Sequence, residues 1–450
     1  MASERVTFAD VLRIREFRVL WIADAQSAVG DQIARVALSV LVFQQTASAL
    51  LTALTYALTF LPAMLGGVLL SGLADRLPRR QVLVGCDVIR AVLMGGMAIP
   101  GVPIWLLCVL LVAAVLTEAP FMAAESSLMP IILEGEYYIV GTGLRTITNQ
   151  VAQLAGFAGG GLVIALIGAR AGLALDALTF ALSAVLIMFS IKARPAAVAG
   201  SMGDDSVGPN FLSGVSSGLR LIFHDPKLRT LLGLAWLAGL YVVPEGVAAP
   251  YAHDLDQGPI ATGLLMAAMP AGTAIGTYVW VRFVPSGIRS RWMGPMAVGV
   301  GVPLALCVLH PNLAFSLILW TVAGMFFGYQ VQVITEFVQS VPDQQRGQAI
   351  GIASSGLLAV QGCGILLGGI VASVWSVNGA VASAGLLGAA LAVVLSWAWH
   401  RSSSTTSHQE SAAPLTLPIP LERVAEGRVA EDQVADPPTD DRVVEDRSTA

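Results

Sequence analysis

The chain has 450 residues, 55% hydrophobic and only 12% charged, with a formal net charge of −5 and a mean hydropathy of +0.74. A soluble domain carries about 25% charged residues, so this composition excludes a water-soluble enzyme, and its apolarity excludes disorder over most of the length. A polytopic membrane protein is left, with lipid as its main solvent. The net charge is local: ten acids and five arginines lie beyond His400, and the 20 bases and 20 acids upstream cancel. No basic patch points to nucleic acid.

A lipid-crossing helix needs about 20 mainly apolar residues. Twelve such runs follow one another near 17–43, 50–72, 81–99, 102–123, 140–167, 171–191, 228–250, 259–282, 291–309, 313–337, 347–373 and 377–399. Gly and Pro punctuate the joints, as at Pro100-Gly101-Val102-Pro103 and His310-Pro311. The predicted fold is an all-α polytopic membrane protein of twelve transmembrane helices. An even count places the N-terminus, the segment after run 2, the central loop, the segment after run 8 and the tail on one side. That side gathers almost every loop base, and Arg170 stands alone on the other. The positive-inside rule then puts both termini in the cytoplasm.

The longest internal break divides the chain into a cytoplasmic N-terminus (1–16), a first bundle of six helices (17–191), a cytoplasmic loop (192–227), a second bundle of six (228–399) and an acidic tail (400–450). The loop holds a polar linker, Gly200 to Asp205, and an amphipathic stretch from Phe211 to Phe223. A shift of 208 residues superposes Gln153, Gly156, Gly160 and Gly161 on Gln361, Gly364, Gly368 and Gly369, which points to duplicated, pseudo-symmetric halves. These six glycines are candidates for close helix packing. The Ser/Thr-rich, Pro-rich and acidic tail lacks the apolar surface to offset ordering, and reads as disordered.

Ionisable groups inside spans are costly and need a partner or a wet cavity. In the first run Asp24, Ser27, Asp31 and Arg35 share one face. Asp31 and Arg35 are spaced to pair at i,i+4, which leaves two readings: a self-neutralised structural pair, or a proton-titrating carboxylate facing a cavity. Arg145, Asn149 and Gln153 form a second polar stripe in the fifth run, as cavity lining or as interhelical hydrogen bonding. Glu245 follows Pro244 near the outer end of the seventh run, as an interfacial or cavity residue. Glu118 and Glu336 fall near cytoplasmic helix ends, where snorkelling serves them. Cys86, Cys108, Cys307 and Cys363 and the five scattered histidines lack metal-ligand spacing, so neither metal nor cofactor is expected.

Gly72-Leu73-Ala74-Asp75-Arg76-Leu77-Pro78-Arg79-Arg80 joins runs 2 and 3, and Asp87 and Arg90 follow in run 3. As physics alone, this is either a positive anchor or a charge-assisted latch across cytoplasmic helix ends. The segment resembles the signature loop of the major facilitator superfamily. Gly30-Asp31, Asp87 to Ala91, Leu175 to Phe180, Asp225 to Arg229 and Val341 to Asp343 are similar to its drug:proton antiporter branch, which includes macrolide and multidrug efflux pumps and an enterobactin exporter. The departures are Phe157, where the branch's antiporter motif expects a proline after Gly156, an acid-free second copy of the loop (Arg282 to Arg291), and Glu125 where an arginine is usual.

The resemblance implies a secondary active transporter working by alternating access, exporting a small amphipathic compound (a drug, antibiotic or siderophore-like metabolite) against protons. Substrate is expected between the bundles near mid-membrane, with Asp31 and Arg35 as coupling candidates and Asp24, Arg145, Asn149, Gln153 and Glu245 as cavity candidates. Gly72, Asp75, Arg76, Arg79, Arg80, Asp87 and Arg90 would form the latch. The expected partners are substrate, protons and the lipid bilayer of the cell membrane, for a monomer without enzymatic activity. The competing readings are a non-transporting sensor on a transporter scaffold, and an importer or uniporter of the same fold.

Overall fold

The structure is a computed structural model that describes residues 6–63, 66, 77–194, 219–220, 222–342 and 345–411, the last ten by backbone only. Gly72, Asp75, Arg76, the Gly200–Asp205 linker, Asp343 and the acidic tail beyond 411 lie outside the described residues. The chain forms one compact unit over Met1–Ser403 and a second over Ser404–Ala450, of which 404–411 are helical.

Among the described residues all regular structure is helical. A short leading helix, Phe8–Arg13, opens with a capping box in which the Thr7 amide donates to Asp10 Oδ2 at 3.0 Å. Long helices follow: α1 (Arg15–Thr46), α2 (Ala49–Ala63), α3 (Arg79–Ala98), α4 (Ile104–Ile132), α5 (Glu136–Ile167) and α6 (Ala169–Ser190). Then come α7 (Pro226–Gly246 and Ala248–Asp254), α8 (Pro259–Phe283), α9 (Ser286–Leu309), α10 (Leu313–Ser340), α11 (Arg346–Val374) and α12 (Val377–Ser411). Each of the twelve apolar runs overlaps one of them.

Nine of these helices are long and apolar enough to cross a bilayer, or ten when the two parts of α7, bent by 45°, count as one span. The remaining two are α1, which carries Asp24, Asp31 and Arg35 in its middle, and the shorter α2, which borders residues outside the description. Local chemistry sets the boundaries. Ser48 caps α2 by accepting from the Leu51 amide at 3.3 Å, and Asp225 caps α7 ahead of Pro226 by accepting from the Lys227 amide at 2.8 Å. Gly168, at φ +88°, makes the tight joint between α5 and α6 that a side chain would strain.

Two boundaries differ from the apolar runs. Helix α4 continues to Ile132 rather than stopping near 123, because its one later charged residue, Glu125, points into the protein and is 1% exposed. Glu118 is therefore not at a cytoplasmic helix end. It sits in the middle of α4, at the irregular turn after Leu116. The seventh run is a broken helix rather than a straight one, interrupted around Val247.

The first half packs α1 against α5 and α6, and α6 against α3. Arginines tie both ends of the α3–α6 pair, with Arg80 donating to the Met188 carbonyl and Arg170 to the Ile99 carbonyl. In the second half α7 packs on α11, and α8 on α10. Small residues allow these approaches. A Cβ on Gly156 would lie 2.6 Å from Cβ of Gln32 on α1, and one on Gly160 would lie 3.1 Å from Cα of Ile33. The shifted pair behaves alike, with Gly364 against Gly239 and Gly368 against Val243, both on α7. Gly161 and Gly369 instead face the other half, at Gly263 of α8 and Ala53 of α2.

Candidate functional site

A cavity of about 500 Å³ opens among α1, α2, α3, α4, α5 and α6. Its polar wall comes from Asp24, Ser27, Asp31, Gln32 and Arg35 of α1, Arg90 of α3, Glu118 of α4, and Thr146, Asn149, Gln150 and Gln153 of α5. Its apolar wall includes Leu38, Met94, Leu111, Phe121, Met122 and Phe180. Every lining residue lies between 24 and 180. This cavity belongs to the first half, where α1, α3, α4 and α5 turn polar side chains toward one another.

The α1 and α5 stripes meet, as their common periodicity requires. Arg145 donates through Nε and NH2 to Asp24 Oδ2 at 3.3 and 3.2 Å, and the same guanidinium lies 2.6 Å from Glu125 Oε1. One arginine thereby serves two carboxylates on two other helices. Asn149 and Gln153 continue the stripe into the cavity. Glu125 is the residue missed by sequence reasoning as a partner. Its signal was an acid where a base is usual, in a chain whose fifth apolar run carries Arg145.

Asp31 and Arg35 do not pair with each other: no ion pair within 4.0 Å joins them, although both line the cavity. Arg35 instead lies over the Phe60 ring, 5.6 Å from its centroid, and faces the Tyr56 hydroxyl. The i,i+4 spacing permits a pair, yet an aromatic face and a hydroxyl from α2 compete for the guanidinium. Glu245 makes its contact elsewhere. It does not line this cavity, and its Oε2 accepts from Tyr56 Oη at 2.8 Å across the two halves.

Of the proposed latch, Arg79 and Arg80 open α3, while Asp87 and Arg90 reach sideways to neighbouring helices. Ser183 of α6 donates to Asp87 Oδ2 at 2.6 Å, and Arg90 Nε donates to Thr117 Oγ1 of α4 at 3.0 Å. Arg90 also sits between the Phe121 and Phe180 rings, 5.0 and 5.3 Å from their centroids, and 4.0 Å from Asp87. It is both a helix tie and a cavity wall. Asp176, fully buried on α6, approaches α1 so closely that a Cβ on Gly30 would lie 2.5 Å from its Oδ1. Gly30 is the residue type that this contact needs.

The halves approach closely where residues 43–61 and 157–161 of the first meet 245–263 and 362–369 of the second. A Cβ on Gly161 would lie 2.7 Å from the Pro259 carbonyl and 3.0 Å from Gly263 Cα, and Gly362 faces Leu61. The rings of Phe43 and His253 meet edge to face at 5.2 Å. The cavity residues of α5, 146–153, precede its contact with α8 along the helix. Among the described residues no group of three or more His, Cys, Asp or Glu is arranged to hold a metal ion.

Apolar helices wrapped around a polar, charged cavity define a multi-pass membrane protein. A family model described as Major Facilitator Superfamily matches residues 20–244 and 246–430, and the chain belongs to that superfamily. It is 26% identical over 364 residues to the multidrug efflux pump Tap of Mycobacterium tuberculosis, across 77% of this chain and 84% of Tap. It is 20% identical over 374 residues to macrolide efflux protein A of Streptococcus pyogenes, across 81% of this chain and 91% of that protein. In fold it is similar to the crystal structure of a bacterial homolog to the human lysosomal transporter Spinster in an inward-facing, unoccupied conformation. That likeness has a TM-score of 0.64 at 14% identity, covering 86% of this chain and 98% of that one.

Proposed function

We propose that the chain is a secondary active exporter in the cell membrane, moving a small amphipathic compound outward by alternating access in exchange for protons. The observation that carries this reading is the cavity itself, in which carboxylates and apolar side chains face the same space. Asp31 and Glu118 line it without an ion pair, beside Leu38, Met94 and Phe121. Such a wall suits a compound with both a polar and an apolar part, and Asp31 is placed to exchange a proton with the space the compound occupies. The relatives named as multidrug and macrolide efflux proteins support the direction and the kind of substrate.

The proposed architecture is twelve spans in two bundles of six, 17–191 and 228–399, with both termini cytoplasmic and the chain acting as a monomer. The equivalent roles of Gly156 and Gly160 of α5 against α1 and of Gly364 and Gly368 of α11 against α7 support the duplication. In this orientation the seam at Gly161–Gly263 and Gly369–Ala53 lies on the outer side, and the cavity opens inward. Asp75 and Arg76, with Arg79, Arg80, Asp87 and Arg90, are proposed to latch the cytoplasmic ends in the opposite state.

Uptake of labelled macrolides, tetracyclines and cationic dyes into inverted vesicles tests the proposal. Accumulation is expected only with an acid-inside pH gradient, and collapse of the gradient should abolish it. Accumulation indifferent to the gradient would remove the proton coupling. Specific binding of a panel compound without movement would favour a sensor.

A further inference from the structure

The seam between the halves carries a polar contact that the cavity does not use. Tyr56 of α2 is 2% exposed and donates its hydroxyl to Glu245 of α7 at 2.8 Å. Glu245 lies in the four-residue turn Val243–Gly246, immediately before the 45° bend of α7. The elements around that turn leave it little room: a Cβ on Gly246 would meet Ile365 of α11, and one on Gly368 would meet Val243. Among the described residues the titratable or charged groups that face Glu245 are Tyr56 and Arg35. Arg35 stands on the far side of the same hydroxyl and is also a wall of the cavity.

We propose that Glu245 is a proton-binding site that controls the seam between the two halves. Ionised, its carboxylate accepts a charge-assisted hydrogen bond from Tyr56, with Arg35 behind the hydroxyl as counter-charge, and the seam stays closed. A proton from water on the seam side converts the carboxylate to the neutral acid. The bond to Tyr56 then loses its charge assistance, roughly half its strength, and the halves can part at this end. The break in α7 leaves Glu245 on a short turn that can move without unwinding a whole helix. Because Arg35 borders both the cavity and this bond, occupation of the cavity is felt at the seam. This assignment rests on the alternating-access reading above, but its test reads the seam and needs no transported compound.

Hydrogen–deuterium exchange of the full chain in lipid nanodiscs, at neutral and mildly acidic pH and corrected for intrinsic rates, provides that test. Wild type should lose protection in segments 49–61 and 255–263 at acidic pH, on the order of tenfold, while α10 stays unchanged as a folding control. Glu245→Gln should show the low protection at both pH values, and so should Tyr56→Phe, which keeps the ring and the packing. A pH response of the seam that persists in Tyr56→Phe and Glu245→Gln, or its absence from wild type, would overturn the assignment. If Glu245→Gln does not fold, Tyr56→Phe alone decides. A protein that moves no compound yet shows this response would overturn the export reading and leave Glu245 in place.

Discussion

Arg145 and Glu125 stand 2.6 Å apart on α5 and α4, with Asp24 of α1 on the same guanidinium at 3.2 Å. Three helices are held by one cation whose loss leaves the buried Glu125 carboxylate without a partner and Asp24 unpaired at the cavity wall. Removing one partner of a buried ion pair costs about 3–5 kcal/mol in soluble proteins. Arg145→Gln is therefore expected to lower the melting temperature of the purified protein markedly and to cut transport at least tenfold. Glu125→Gln leaves Arg145 still paired with Asp24, so its effect should be smaller. Fluorescence-detected melting and vesicle uptake check the order. Equal melting of both variants and wild type would show that the triad holds nothing together.

The seam predicts a conformational phenotype for Gly161. A leucine there places its Cβ within 2.7 Å of the Pro259 carbonyl and cannot be absorbed by moving a flexible side chain. Gly161→Leu should fold but fail to close this end, and transport should be lost. Thr262, 2% exposed beside Gly263, reports the change: Thr262→Cys should resist an impermeant maleimide in the parent and react in the Gly161→Leu background. Unchanged labelling would mean that the seam does not gate access.

The separation of Asp31 from Arg35 changes what a double substitution should do. If Asp31 carries the proton, Asp31→Asn abolishes gradient-driven export and retains gradient-independent exchange of substrate. Arg35→Gln added to it should not restore uphill transport, because Arg35 engages Phe60 and Tyr56 and is not left as the abandoned partner of Asp31. Rescue by the double variant would remove Asp31 as the carrier.

Topology is checked independently of chemistry. Reporter fusions after Arg80, Ser206 and Ser403 should read cytoplasmic, and a fusion after Asp256 should read external. An external signal at Ser206 would break the twelve-span arrangement.

The class of molecule was legible in the amino-acid order. Composition and run length demand helices, since a backbone in lipid must satisfy its own hydrogen bonds, and every apolar run overlaps a helix in the structure. The 3.6-residue period also put Asp24, Asp31 and Arg35 on one face and Arg145, Asn149 and Gln153 on another, because that spacing is a property of a single helix. The glycines at 156, 160, 364 and 368 were legible as packing positions for the same reason.

Which faces meet and which charges find each other depends on how the helices pack. Arg145 chooses Glu125, 20 residues away, and Asp24, 121 away; Tyr56 finds Glu245 across 189 residues. Periodicity carries no information about the rotation of one helix against another, which the packed neighbours fix. For that reason Asp31 and Arg35, adjacent on one helix by spacing, part company once Phe60 and Tyr56 of α2 offer Arg35 a competing face. The polar cavity likewise falls inside the first half, where the charged faces of α1, α3, α4 and α5 converge, while the small residues at 161 and 263 draw the two halves together where α5 meets α8.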